Sequence, residues 1–362
     1  MRAVVLKEPR RLVVEEIPLF PMAADEVMVQ VEACGICGSD LRYYLGENPW
    51  ALHTKGAADP NPPNMVLGHE FVGRVVEAGG PAGADLVGKR VAVLPYHTCG
   101  RCDNCRRGLY HLCAHTIHTG HGAGWGEQAY FPGAYAEFCP IWADRCAVLP
   151  EWVPPHEAAL IDGLGVAVHA VRQAGFTPGA NNVAVLGCGP VGVAVAAVAR
   201  AWGARQIFGT DVYDVALRIA GEVAAVQPID VRAADPVAAV RAGTDGLGVR
   251  YAFDTVCTAE TQQQALAMLG SRGVLVNLAP HNLEVPLNLL QLGAERSIRG
   301  SSNSTLEDFQ TAVEMLVAGQ FKAAPQITHR VPLEAVPETI EMLLQKETVG
   351  AFKAVVEPGR SA

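Results

Sequence analysis

Short apolar runs with period-two alternation dominate the first part of the chain. Ala3-Val4-Val5-Leu6, Val27-Met28-Val29-Gln30-Val31, Glu70-Phe71-Val72-Gly73-Arg74-Val75-Val76 and Arg90-Val91-Ala92-Val93-Leu94 are each bounded by turn residues. That pattern predicts strands, so the region up to about Pro155 reads as an all-β domain carrying loops. From Glu157 the rhythm changes, and Ala-rich helical stretches alternate with buried strands at Val183–Leu186, Gln206–Gly209 and Val274–Asn277. This is the βαβ alternation of an open parallel sheet. After about Ser297 a helix is expected over Leu306–Ala318, then the run Gln326–Val331, another helix, and a closing strand at Ala351–Glu357. The last part is expected to rejoin the first domain. The expected boundaries are therefore 1–155 with 297–362 for one domain and 156–296 for the inserted sheet domain, an α/β plus β architecture.

A length of 362 residues suits two domains better than one or three. Half the residues are apolar and 18% are charged, enough to bury a large core. The formal charge of -9 repels nucleic acid and anionic membranes at long range and argues against both as partners. The start, Met1–Ile17, mixes charges with strand-like alternation and lacks the apolar centre of a signal peptide. The longest apolar run, Val191–Ala199, is well short of the ~20 residues that span a bilayer. A cytoplasmic protein is expected, assembled as a homodimer or homotetramer.

Ten cysteines without an export signal are expected to stay reduced. Four of them, Cys99, Cys102, Cys105 and Cys113, have the spacing C-x2-C-x2-C-x7-C. Two short intervals let thiolates curl around one ion, and the longer return supplies the fourth corner of a tetrahedron, which suits a closed structural zinc site. Disulfides or free thiols are the plainer readings and fit this spacing less well. A DNA-binding zinc module needs an adjoining basic helix, which the mixed surroundings of Arg101, Arg106 and Arg107 do not provide.

Upstream lie Cys34-Gly35-Ile36-Cys37-Gly38-Ser39-Asp40 and Gly68-His69-Glu70, each weak alone. Further on, the strand Val183–Leu186 runs into Gly187-Cys188-Gly189-Pro190-Val191-Gly192 and an Ala-rich helix. In that context Gly187, Gly189, Pro190, Val191 and Gly192 are candidates for binding pyrophosphate at a helix N-terminus. Asp211, nineteen residues after Gly192, can accept hydrogen bonds from adenosine ribose hydroxyls and would repel a 2'-phosphate, so NAD is expected over NADP. The plainer reading is an ordinary strand-end aspartate.

These motifs together resemble the zinc-containing medium-chain dehydrogenase/reductase family over nearly the whole chain. The resemblance implies a GroES-like catalytic domain with an inserted Rossmann domain of doubly wound parallel sheet, and two zinc ions, one catalytic and one structural. Cys37 and His69 match two ligands of the catalytic zinc. Glu70 matches a carboxylate that in the family either binds the metal or sits just behind it. Asp162 occupies a position where polyol and threonine dehydrogenases carry an acidic residue and many simple-alcohol enzymes carry Cys; capping the next helix is its plainer role. Ser39 matches the hydroxyl that bonds the substrate oxygen. The implied chemistry is Lewis-acid activation of an alcohol by zinc, with hydride transfer to the nicotinamide.

Several features depart from the family pattern or leave alternatives open. Arg42 stands where many relatives have a His that continues the proton relay, and a permanent cation is no base. Ala216 replaces a basic residue often found near the adenosine. An extended loop over residues 43–64, holding Tyr43, Tyr44, Trp50 and His53, is expected either to roof the substrate or to lie in solvent, with Tyr43 and Trp50 as pocket candidates. His115, His118 and His121 are read as a substrate loop or surface in preference to a third metal site, and His169 as a packed helix residue. The acidic Asp162 and the polar aromatics point to a polyol, sugar or vicinal diol as substrate, with simple alcohols second. A zinc- and nucleotide-binding regulatory protein and a zinc-free quinone-reductase-type relative are both disfavoured by the intact Cys37, Ser39 and His69 set.

Overall fold

The computed structural model describes residues 1–56, 58–179, 181–279, 282–345 and 350–360, the side chains of His53 and Lys55 excepted. The chain forms two compact units. The first comprises Met1–Asp162, Thr305–Val317 and Ile327–Ala362, the second Gly163–Ser304 and Ala318–Gln326.

In the first unit the strand Glu26–Gly35 is the axis of a largely antiparallel sheet. Glu70–Ala78 pairs with it along most of its length, and Phe138–Trp142 and Lys353–Val356 also pair with it. Arg90–Val93 and Cys146–Val148 extend the sheet on one side, and Ile327–Val331 closes the other in parallel with Lys353–Val356. A second sheet joins Arg11–Glu16, Arg2–Glu8 and Met65–Val66. Val4, Val29, Phe71, Tyr135 and Ile141 are among the buried side chains of the core these sheets enclose. For the four on strands the pleat decides which face they line, because successive side chains face opposite ways; Tyr135 enters from the segment before Phe138–Trp142.

The second unit is a six-stranded sheet, parallel throughout. Its order is Gln227–Asp230, Gln206–Asp211, Asn182–Leu186, Val249–Asp254, Leu269–Asn277, Ser297–Gly300. In chain order this is 3-2-1-4-5-6, the doubly wound arrangement in which ligands bind outside the carboxyl ends of the strands where the order reverses. Ala184, Leu186, Phe208 and Leu275 are buried in its core. Ser297–Gly300 pairs with Leu269–Asn277 and so lies in this unit, beyond the expected boundary at 296.

The stretch from 43 to 64 is not simply an extended loop. Tyr43 and Tyr44 end the helix Gly38–Tyr44, and a second helix runs over Pro49–Lys55. Its signals are local: the Asn48 side chain accepts from the Ala51 N–H at 3.0 Å, Pro49 takes the first helical position, and Gly56 ends the helix at φ 67°. Ala57 and the side chain of His53 lie outside the described residues. No helix among the described residues is long and apolar enough to cross a membrane.

Candidate metal centre and nucleotide turn

Cys37 follows the central strand of the first unit and caps the helix Gly38–Tyr44. Asp40, three residues on, is fully buried. Its Oδ2 accepts hydrogen bonds from the Cys37 N–H and the Tyr135 hydroxyl, each at 2.8 Å, while Oδ1 faces His69 Nδ1 at 3.6 Å. Gly68 makes room for this arrangement, since a Cβ there would stand 2.5 Å from the Tyr135 ring. Burial works to raise the Asp40 pKa, but His69 and the hydrogen bonds prevail and hold it below its ordinary value. Burial likewise works to lower the His69 pKa, but Asp40 and then Cys37 outweigh it and hold the ring well above its ordinary value. A proton kept on Nδ1 by Asp40 leaves Nε2 as a lone-pair donor, the orientation a metal-binding imidazole needs.

Glu70 opens the neighbouring strand, is 5% exposed, and pairs through Oε2 with the buried Lys353 ammonium. One donor atom each from Cys37, His69 and Glu70 lies within 4.8 Å of the others. A thiolate, an imidazole and a carboxylate at that spacing suit one divalent ion with a position left over. Ser39 Oγ is buried without a hydrogen bond, as a group poised for a substrate oxygen would be, and His69 Nδ1 and Asp40 Oδ1 face each other just beyond hydrogen-bond distance. Asp162 sits in the first turn of the helix Ile161–Gln173, outside the 4.8 Å set. Desolvation pushes its carboxyl up to about 6; His69 opposes the shift and Glu70 adds to it, so its charge is felt at the same centre. Arg42 is held by Glu47 at 2.7 Å.

The four-cysteine lobe passes a geometric test. With Zn–S bonds of ~2.3 Å, sulfurs at the corners of a tetrahedron stand about 3.8 Å apart. Sγ separations here are 4.0 Å for Cys99–Cys105, 3.9 Å for Cys102–Cys113 and 3.5 Å for Cys113–Cys99, far beyond a disulfide bond. Backbone N–H groups of Cys99, Cys102 and His115 donate to sulfurs of the lobe at 3.3–3.4 Å. Such bonds, the Cys105 N–H first among them, pull the Cys102 thiol down to about 6, whereas burial pushes Cys105 up to about 12. Four crowded sulfurs resist ionising together, and a cation among them removes that resistance.

The three loop histidines separate. His115 is exposed, whereas His118 is buried and stacks on His121 with ring centroids 3.9 Å apart. His121 in turn lies 4.5 Å from the His69 ring and 4.9 Å from that of Tyr43. His118 is kept neutral by burial, its pKa pushed down to about 3. The Tyr43 hydroxyl donates to Asn48 Oδ1 and accepts the Trp50 N–H, both at 3.4 Å.

In the second unit the strand Asn182–Leu186 turns at Gly187 into the helix Pro190–Ala201. Gly187 has φ 86°, and a side chain on Gly192 would collide with the Gly187 carbonyl, 1.9 Å from its Cβ. Gly189, at the N-cap, faces open space. A bare helix N-terminus with free room beside it suits a pyrophosphate. Asp211 ends the adjacent strand and accepts the N–H groups of Cys188, Val212 and Tyr213 at 2.7, 2.7 and 2.9 Å. Its carboxylate is thereby fixed beside the turn.

Three residues escaped the sequence reading in these roles. Asp40 was visible only as part of the Cys37 motif, although an acid three residues after a helix cap is a recognisable capping signal. Tyr135 carried no signal. Lys353 carried a faint one, a single charge in the apolar run Ala351–Val356.

Comparison with known proteins agrees with this architecture. Residues 23–151 match the alcohol dehydrogenase GroES-like domain and residues 190–318 the zinc-binding dehydrogenase domain. The sorbitol dehydrogenase of Bacillus subtilis is 31% identical over 99% of this chain and 98% of its own. A protein of Aspergillus terreus named "Probable D-xylulose reductase A" is 33% identical over 85% and 84% of the two chains. A zinc-binding dehydrogenase from Sinorhizobium meliloti 1021, solved with NADP, superposes with a TM-score of 0.87 over 99% of both chains at 27% identity. The chain belongs to the zinc-containing medium-chain dehydrogenases and is a nicotinamide-linked oxidoreductase of that family.

Proposed function

We propose that this dehydrogenase oxidises a secondary alcohol of a polyol, sugar or vicinal diol, with NAD as hydride acceptor and two zinc ions per chain. The observation that carries the reading is the Cys37, His69 and Glu70 donor set with Asp40 behind it. The substrate class is supported by relatives named for sorbitol and D-xylulose. Cys37 and His69 would hold the catalytic ion with an acidic donor, Glu70 or Asp162, and Cys99, Cys102, Cys105 and Cys113 the structural one.

A zinc ion so held supplies a Lewis acid for the substrate oxygen. Asp40 keeps the His69 proton on Nδ1. Ser39 Oγ would accept a hydrogen bond from the substrate hydroxyl and, giving up its own hydrogen to water as it takes the substrate's, relay that proton outward without keeping it. Arg42, permanently charged and bound to Glu47, does not carry that proton onward. Gly187, Gly189, Pro190, Val191 and Gly192 hold the pyrophosphate, and the fixed Asp211 carboxylate favours a free ribose 2'-hydroxyl over a phosphate. Tyr43 and Trp50 remain our pocket candidates, with His121 now beside Tyr43.

Rates on a panel of polyols, sugars, vicinal diols and simple alcohols, with both cofactors, are expected to give the highest kcat/KM for a polyol, sugar or vicinal diol with NAD. Absence of turnover on the whole panel, with fewer than two zinc ions per chain, sinks the reading. Cys37→Ser is expected to remove activity with little change in thermal midpoint. Cys102→Ser should instead lower the midpoint by ~10 °C, as a loss of roughly 3 kcal/mol does in a domain of this size; equal midpoint losses in the two variants contradict the division of labour. Asp40→Asn should weaken binding of the catalytic ion ~10–100-fold in a chelator competition. For Asp211→Ala, the preference for NAD over NADP in kcat/KM should narrow roughly tenfold, about 1.4 kcal/mol, and an unchanged ratio refutes the role given to Asp211.

A further inference from the structure

Glu70, Gly35 and Lys353 stand at one end of three adjacent strands. Gly35 is the last residue of its strand and pairs with Glu70, the first of the next; on the other side it pairs with Val355, two residues after Lys353 opens the closing strand. Lys353 and Glu70 are each 5% exposed. The lysine donates from Nζ to Glu70 Oε2 and, at 2.9 Å, to the Ile36 carbonyl. The missing side chain of Gly35 leaves the space for this contact. A Cβ there would stand 2.2 Å from Glu70 Oε2 and 3.1 Å from Lys353 Cε.

Burying an ammonium and a carboxylate together is expensive, and an apolar pair of the same volume is commonly no less stable. Stability alone gives no reason for this pair. Its location does, because the carboxylate it holds is the one within 4.8 Å of the Cys37 and His69 donor atoms. A carboxylate meets a divalent ion with either one oxygen or two. Lys353 occupies one of the two.

We infer that Lys353 is a positioning residue that limits Glu70 to one oxygen toward the catalytic ion and so keeps a coordination position open for substrate. The inference rests on the metal site proposed above. Without Lys353 the second Glu70 oxygen turns to the ion, binding tightens, and the position that substrate needs is closed.

The test uses the full-length protein with Co2+ at the Cys37–His69 site and zinc retained in the four-cysteine lobe. Lys353→Met is expected to weaken the visible Co2+ bands, as coordination number rises, and to tighten metal binding roughly tenfold, about 1.4 kcal/mol, in a chelator competition. kcat should fall ~10-fold with it. Lys353→Arg should restore the bands. In a Glu70→Gln background, Lys353→Met should change neither bands nor affinity, because the amide has only one oxygen to give. Gly35→Ala, which forces Glu70 and Lys353 apart while altering neither charge, should shift the bands as Lys353→Met does, and it carries the test if Lys353→Met does not fold. Unchanged bands and affinity in folded Lys353→Met or Gly35→Ala overturn the inference, as does an effect of Lys353→Met that persists with Glu70→Gln. Wild-type protein that takes up no Co2+ outside the four-cysteine lobe overturns the metal-site reading itself, a result seen before any variant is made.

Discussion

A carboxylate sealed from water must find its partners in the protein, and Asp40 finds three. Two hydrogen bonds saturate one oxygen and tie together the cap of a helix and a buried tyrosine, while the other oxygen confronts His69. Losing any partner leaves a charge uncompensated in a medium where that is costly. The position of the Cys37 backbone, the packing of Tyr135 over Gly68 and the orientation of the His69 ring therefore depend on one another. The Cys37, His69 and Glu70 donor set inherits its rigidity from a carboxylate outside that set.

The same economy of buried charge runs through the other acidic groups of the first unit. Glu70 is answered by Lys353, whereas the Asp162 carboxyl has its pKa pushed up to about 6 by desolvation. The sulfurs of the four-cysteine lobe divide between thiols drawn down by backbone N–H groups and thiols pushed up by burial.

What the sequence disclosed followed from distance along the chain. The cysteine lobe and the glycine turn are local patterns whose spacing alone dictates which atoms meet, so they were legible. The strands of both units were legible too, because alternation and buried runs record which face is covered. Ser297–Gly300 was missed as the sheet's sixth strand because it is short and mostly exposed, leaving no apolar signature. The helix Pro49–Lys55 was hidden in plain view behind its Asn48, Pro49 and Gly56 signals. The Glu70–Lys353 pair joins residues 283 positions apart, and no spacing rule reaches that far. His121 belongs to the same class: its nearness to His69 depends on how two loops pack.

That long separation also sets an order of assembly. The axial strand Glu26–Gly35 and its partner Glu70–Ala78 leave the ribosome early, but the strand that brings Lys353 to Glu70 is made only after the whole parallel-sheet unit. A nascent chain therefore carries Glu70 unanswered while the later unit, whose strands lie in one continuous stretch, already has all it needs to fold. The first part of the molecule to be synthesised is the last to be finished: until the closing strand is made, the buried Glu70 carboxylate lacks its cation.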